Sequence, residues 1–170
     1  MIEIRAARAS DAPALAEIYN GYVASSTATF DEVPRDPETW AGKIADADRA
    51  GLPFLVAVEG SALLGYALVT PWSDKSAFRY TVENSIYLAP EAAGRGLGTA
   101  LLDALLTASR DAGLRQMIAV ITSEGTEASL ALHRRFGFIE TGSLERVGKK
   151  FDRWLGVRFL QKDLAESEEH

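Results

Sequence analysis

Three glycines at alternate positions, Gly94, Gly96 and Gly98, sit in "AAGRGLGTALL" between a strand-like stretch and a helix-like one. Glycine has no Cβ, so a loop of this kind lets the backbone approach a ligand closely. Downstream, Leu97, Ala100, Leu101, Ala104, Leu105 and Ala108 recur on one apolar face at helical spacing. Free N–H groups and the helix dipole therefore converge on loop 94–98 and favour an anion, such as a phosphate. A plain tight turn needing unusual φ angles fits the same cluster equally well. Upstream, Glu83 interrupts the apolar strand "TVENSIYL". A partly buried carboxylate has its pKa raised and suits a general base; a solvent-facing residue or a salt bridge fits the pattern as well. Downstream lies His133, one of only two histidines. Its imidazole could move a proton near neutral pH, or be held by a neighbouring backbone group.

Composition narrows the chemistry further. The 170 residues suffice for one domain with a sizeable core, and 47% hydrophobic with 25% charged residues is ordinary globular content. We expect one domain over 1–165 and a frayed acidic tail over 166–170. A net charge of −6 argues against a nucleic-acid or anionic-membrane partner. The absence of cysteine excludes disulfides, thiolate metal sites and a cysteine nucleophile, and is compatible with the cytoplasm. Two histidines leave little for a metal site, so no metal is expected. No apolar run suggests a signal peptide or a membrane span.

Periodicity supplies the scaffold. Strands are expected over 2–7, 53–59, 62–71, 81–90, 116–122, 138–148 and 153–164, and the turn Gly60-Ser61 makes the second and third a hairpin. Ser10 or Asp11 should cap a helix carrying Leu15, Ile18, Tyr19, Tyr22 and Val23. Asp36-Pro37 should start a second helix that ends before Gly51. A long helix follows the glycine loop, and Gly137 closes a short one. The fold class is α/β (α+β), a mixed, largely antiparallel sheet flanked by helices on both faces. A right-handed crossover should join the two parallel strands around the glycine-loop helix.

Three phosphate-binding designs compete for the loop. A nucleotide-triphosphate loop needs Gly-Lys-Ser/Thr, and the lysine is missing. A dinucleotide fingerprint has Thr99 in its third glycine position and lacks the repeated βαβ setting of a nicotinamide oxidoreductase. The stretch resembles instead the pyrophosphate loop Q/R-x-x-G-x-G/A of the GNAT superfamily of acyl-CoA-dependent N-acetyltransferases, with Ala93 in place of the usual Gln or Arg. "FRYTVENSIYLAP", "GRGLGTALL", "SLALHRRFGF" and "VGKKFDRWLGVRFLQ" are similar to the phosphinothricin and methionine-sulfoximine or methionine-sulfone N-acetyltransferases within it.

That resemblance implies the GNAT fold, acetyl-CoA as co-substrate, a small amino-acid-like amine as acceptor and a homodimer. It implies Glu83 as base and His133 as the group that assists departure of the CoA thiolate. Ile86, Tyr87 and Leu88 would lie along the pantetheine arm, with a strand amide polarising the thioester carbonyl. Gly94, Arg95, Gly96, Leu97, Gly98 and Thr99 would hold the pyrophosphate, and Thr126 and Ser129 would contact CoA; Arg95 reads equally as a charge that compensates for Ala93 and as an ordinary solvated one. Phe30, Arg79 and Tyr80, with Glu83, would form the acceptor side, Arg79 clamping a carboxylate; a surface charge for Arg79 and a loop anchor for Phe30 are the competing readings. Trp154 matches a segment near the active site or partner chain in relatives, with core packing as the competing reading. The alternatives are another amine acceptor (peptide N-terminus, polyamine or aminoglycoside) and a non-catalytic acyl-CoA-binding module.

Overall fold

The structure is a computed structural model and describes residues 1–165; the tail 166–170 lies outside the described residues. Among the described residues the strands are β1 (Ile2–Ala6), β2 (Phe54–Glu59), β3 (Ala62–Pro71), β4 (Thr81–Leu88), β5 (Gln116–Thr122), β6 (Ile139–Lys150) and β7 (Arg153–Asp163). They form one sheet in the order β1-β2-β3-β4-β5-β7-β6. Every neighbouring pair is antiparallel except β4 with β5. The helices are α1 (Ala12–Ser25), α2 (Pro37–Ala50), α3 (Leu97–Asp111) and α4 (Glu127–Arg135). Three short 3₁₀ turns, at 9–11, 76–78 and 90–92, carry too few residues for periodicity to reveal.

One face of the sheet carries α1 and α2 through an aromatic cluster. Tyr19 meets Trp40 and Tyr87 edge-on at 5.2 and 5.5 Å, and Tyr66 lies 5.4 Å from Trp40 and 5.6 Å from Tyr87. The opposite face carries α3, whose Leu101, Leu102, Leu105 and Leu106 are buried. Gly65 allows that helix to come close. A Cβ there would lie 2.7 Å from Leu88 Cδ2, 3.0 Å from the Tyr87 carbonyl and 3.4 Å from Leu101. The fold thus presses α3 and its leading loop against the end of β4.

The caps divide. Asp36 accepts from the Thr39 amide at 2.8 Å, as its place before Pro37 predicts. Asp11 stands at the α1 N-cap but does not cap it. Its carboxylate takes the Arg5 guanidinium at 2.8 and 2.9 Å and the Arg8 amide at 2.7 Å. A bidentate ion pair competes successfully with a cap amide, and the Arg5 pairing holds the Asp11 carboxyl below its usual range.

Candidate active site

The site begins where two strands part. β4 meets β5 only through Thr81–Glu83 against Gln116–Ile118. Past Glu83 the strands separate, and β5 continues against β7 as far as Thr122. The rest of β4, through Leu88, keeps β3 on one side and has no strand on the other. A cavity of about 780 Å³ opens in this gap. It is lined by β4 from Glu83 to Leu88, by the end of β5, by Ala93, Gly94 and 96–99, by Thr126, Ser129 and His133, and by Ser26 and Phe30.

Loop 94–99 forms one end of the cavity. Gly94 and Gly96 have φ of +79° and +75°, where a side chain is strained. Gly96 is the N-cap of α3 and offers no side chain, so the leading N–H groups of the helix lack a capping partner. A Cβ at either glycine would meet nothing within 4 Å, which leaves open space above the cradle. Gly98 differs, since its Cβ would touch Leu132 at 3.4 Å. Unusual φ explains the first two glycines by itself; the uncapped helix end beside open space is what gives the loop affinity for an anion.

The charge expected of Arg95 points elsewhere. Its guanidinium pairs with Glu59 at 3.0 Å, and Arg95 does not line the cavity. Arg135, at the end of α4, donates to Thr99 Oγ1 at 3.0 Å and is the one Lys or Arg of the described residues that lines it. In the sequence Arg135 reads as a helix-terminal cation, and nothing there links it to a loop 36 residues earlier.

Glu83 and His133 border the gap from opposite faces of β4. By strand alternation Glu83 shares its face with Ser85 and Tyr87, and Tyr87 packs on α1. Glu83 is half-buried, and burial raises its carboxyl above the usual glutamate range. Among the described residues no side chain pairs with its carboxylate. His133 is only 3% exposed. Its Nδ1 lies 2.8 Å from the Ser129 carbonyl, so that nitrogen carries the proton, and Nε2 accepts from Asn84 Nδ2 at 3.2 Å. Burial lowers its pKa, so the ring is neutral at neutral pH. Asn84, a buried cavity residue, is a second site group that sequence reasoning passed over. The only signal was a polar residue inside an apolar strand.

The remaining expected residues divide. Phe30 lines the cavity and packs its ring over Gly148. Thr126 lines it while its hydroxyl donates to the Thr122 carbonyl. Arg79 and Tyr80 do not line it. They stack on each other at 4.5 Å just before β4, and Arg79 donates to the Ser76 carbonyl at 3.0 Å. Trp154 is 61% exposed, which overturns core packing for it. In the β6–β7 hairpin at the sheet's edge its ring stays in solvent, with the Lys149 ammonium 5.6 Å from its centroid.

A cradle of uncapped amides, a parted pair of strands and an unpaired carboxylate meet in one cavity. Residues 15–138 match the family model described as the acetyltransferase (GNAT) family. The chain belongs to that family. This acetyltransferase is 42% identical over 161 residues to the phosphinothricin N-acetyltransferase of Alcaligenes faecalis, covering 95% of this chain and 82% of that one. It is 41% identical over 162 residues to the L-methionine sulfoximine/L-methionine sulfone acetyltransferase of Pseudomonas aeruginosa, covering 95% and 94%. Among solved structures, a GNAT superfamily phosphinothricin acetyltransferase from Sinorhizobium meliloti in complex with acetyl-CoA superposes with a TM-score of 0.91 at 38% identity. That match covers 95% of this acetyltransferase and 88% of the other chain.

Proposed function

We propose that residues 1–165 form one N-acetyltransferase domain. It transfers acetyl from acetyl-CoA to the α-amine of a small amino-acid-like acceptor such as phosphinothricin, methionine sulfoximine or methionine sulfone. The observation that carries this reading is Glu83, half-buried and unpaired on the β4 side of the gap, with the α3 cradle at the far end of the same cavity.

When bound, acetyl-CoA supplies an activated thioester carbonyl. The amides at the start of α3, the Thr99 hydroxyl and Arg135 hold its pyrophosphate. The open edge of β4 along Ile86, Tyr87 and Leu88 holds the pantetheine arm, and a strand amide there stabilises the developing oxyanion. Ser129 and Thr126 line the α4 side. Glu83 takes a proton from the acceptor's ammonium, directly or through one water, so that the neutral amine attacks in a ternary complex. Neutral His133 contributes by fixing Asn84 and the first turns of α4; with Nδ1–H committed to Ser129, it has no spare proton to give. Arg79 lies outside the cavity lining, stacked on Tyr80 just before β4, so the clamp on the acceptor's carboxylate that the resemblance implies would have to reach in from beyond the cavity's Glu83 end.

Glu83 is the one acidic residue lining the cavity among the described residues, which argues against a polyamine or aminoglycoside acceptor. An unpaired, desolvated carboxylate also has no use in a merely acyl-CoA-binding module, since it costs stability without gaining a contact. Mass spectrometry after incubation with acetyl-CoA and phosphinothricin should find acetyl on the α-amine. Exclusive acetylation of a polyamine would favour the other acceptor class.

Arg135→Met should weaken acetyl-CoA binding about tenfold, the loss expected for a charge-assisted hydrogen bond, with little change in Tm. Arg95→Met should change it less than about threefold, because Arg95 faces Glu59. Isothermal titration distinguishes the two.

The same reading includes a cytoplasmic location and a homodimer. No described helix is long and apolar enough to cross a membrane. Leu144, Val147, Phe151 and Trp154 leave an apolar surface on the β6–β7 hairpin, at the sheet's edge. Sedimentation velocity should give the mass of two chains, and Trp154→Glu should shift it toward one.

A further inference from the structure

A buried ammonium lies outside all of this chemistry. Lys150 ends β6, is 2% exposed, and forms no ion pair among the described residues. Its Nζ donates to the carbonyls of Ser26 at 2.7 Å, Thr29 at 2.8 Å and Tyr22 at 3.4 Å. Burying a charge against neutral dipoles is costly, and burial pushes the Lys150 pKa down. A cation there is favoured because α1 has no basic residue in its own last turn, and Lys150 supplies one from 124 residues away.

The three acceptors lie on one segment. Tyr22 is in the last turn of α1, and Ser26 and Thr29 lie in the loop that leaves it. Tyr22, Ser26, Ala28, Thr29 and Phe30 all line the cavity. The segment is tied elsewhere as well. Thr122 Oγ1 donates to the Thr27 carbonyl at 2.7 Å, and Tyr19 OH and Thr29 Oγ1 lie 2.9 Å apart. Phe30 is held from the same strand as Lys150, since a Cβ on Gly148 would fall 2.4 Å from its ring. Lys150 and Gly148 together hold the stretch of cavity wall formed by Ser26, Ala28, Thr29 and Phe30.

We propose that Lys150 is a positioning residue for the acceptor. Through the Ser26 and Thr29 carbonyls it fixes loop 26–30, and with it the size and shape of the amine-binding end of the cavity. The assignment rests on the acceptor reading above. It adds that specificity for the amine is set from the C-terminal hairpin, by a residue that touches no substrate.

The test is Lys150→Met, which keeps the stem and removes the charge, with Gly148→Ala as a second variant that displaces Phe30 while leaving the ammonium in place. In Lys150→Met, acceptor KM should rise about tenfold or more, while acetyl-CoA Kd by titration stays within about twofold of wild type. Amide hydrogen exchange of 26–31 should quicken while that of α3 stays unchanged. Gly148→Ala should raise acceptor KM in the same selective way. An unchanged acceptor KM in either folded variant overturns the proposal, as does a parallel rise in acetyl-CoA Kd and acceptor KM. If wild type acetylates no amine, the acceptor reading fails instead, and hydrogen exchange still reports whether Lys150 holds the loop.

Discussion

Glu83→Gln is expected to lower kcat/KM for the amine by about 10²- to 10⁴-fold at neutral pH, the usual contribution of a positioned general base. Acetyl-CoA affinity should hardly move, because Glu83 lies at the far end of the cavity from loop 94–99. The pH profile carries the sign. Wild-type kcat/KM should rise with pH as the Glu83 carboxyl loses its proton, at a pKa above the ordinary glutamate value. The glutamine variant should lack that limb. Stability should move the opposite way. A carboxyl whose pKa is raised on folding favours the folded state while protonated, below its unfolded pKa. That contribution is lost as pH rises through the folded value. Ionised Glu83 is therefore a stability cost at neutral pH, and Glu83→Gln should melt higher than wild type there. The difference should vanish in acid. A variant that keeps its activity across pH would remove Glu83 from the base role.

Gly96→Val carries the second large effect. Gly96 sits at φ +75° as the N-cap of α3. A left-handed conformation costs a residue with a Cβ about 1–2 kcal/mol, and β-branching adds to it. The cradle would have to shift, and a side chain would enter the open space where the helix amides begin. Acetyl-CoA Kd should rise at least about tenfold by titration, with acceptor KM changing much less. Gly98→Ala is the matched control. Its backbone is helical and its Cβ would meet only Leu132 at 3.4 Å, so its effect should be small. Equal losses in the two variants would mean that the cradle does not depend on backbone conformation.

Most of the scaffold was legible because its signals are local. Alternation marked the strands, Asp36-Pro37 marked the start of α2, and the glycine loop marked the entry to α3. The candidate site was only partly legible, since its decisive contacts cross long stretches of chain. Nothing in "TVENSIYL" says that β5 leaves β4 after Glu83 while keeping β7 along its other edge. Arg95 reads as the natural cation of the cradle, yet Glu59 takes it and Arg135 faces the cavity from α4. Asp11 reads as a cap until Arg5 is brought beside it. Lys150 reads as one of a pair of surface lysines, and only the packing of the hairpin against the end of α1 buries it. Trp154 reads equally as core until its ring is seen to face solvent beside Lys149.

The most direct test of the account is release of CoA thiol from acetyl-CoA, followed with methionine sulfone and, in parallel, with the same amine lacking its carboxylate. Release should be rapid with methionine sulfone, the decarboxylated amine should show a much higher KM, and both activities should be lost in Glu83→Gln. No release with methionine sulfone, methionine sulfoximine or phosphinothricin would contradict it, and so would equal turnover of the two paired amines.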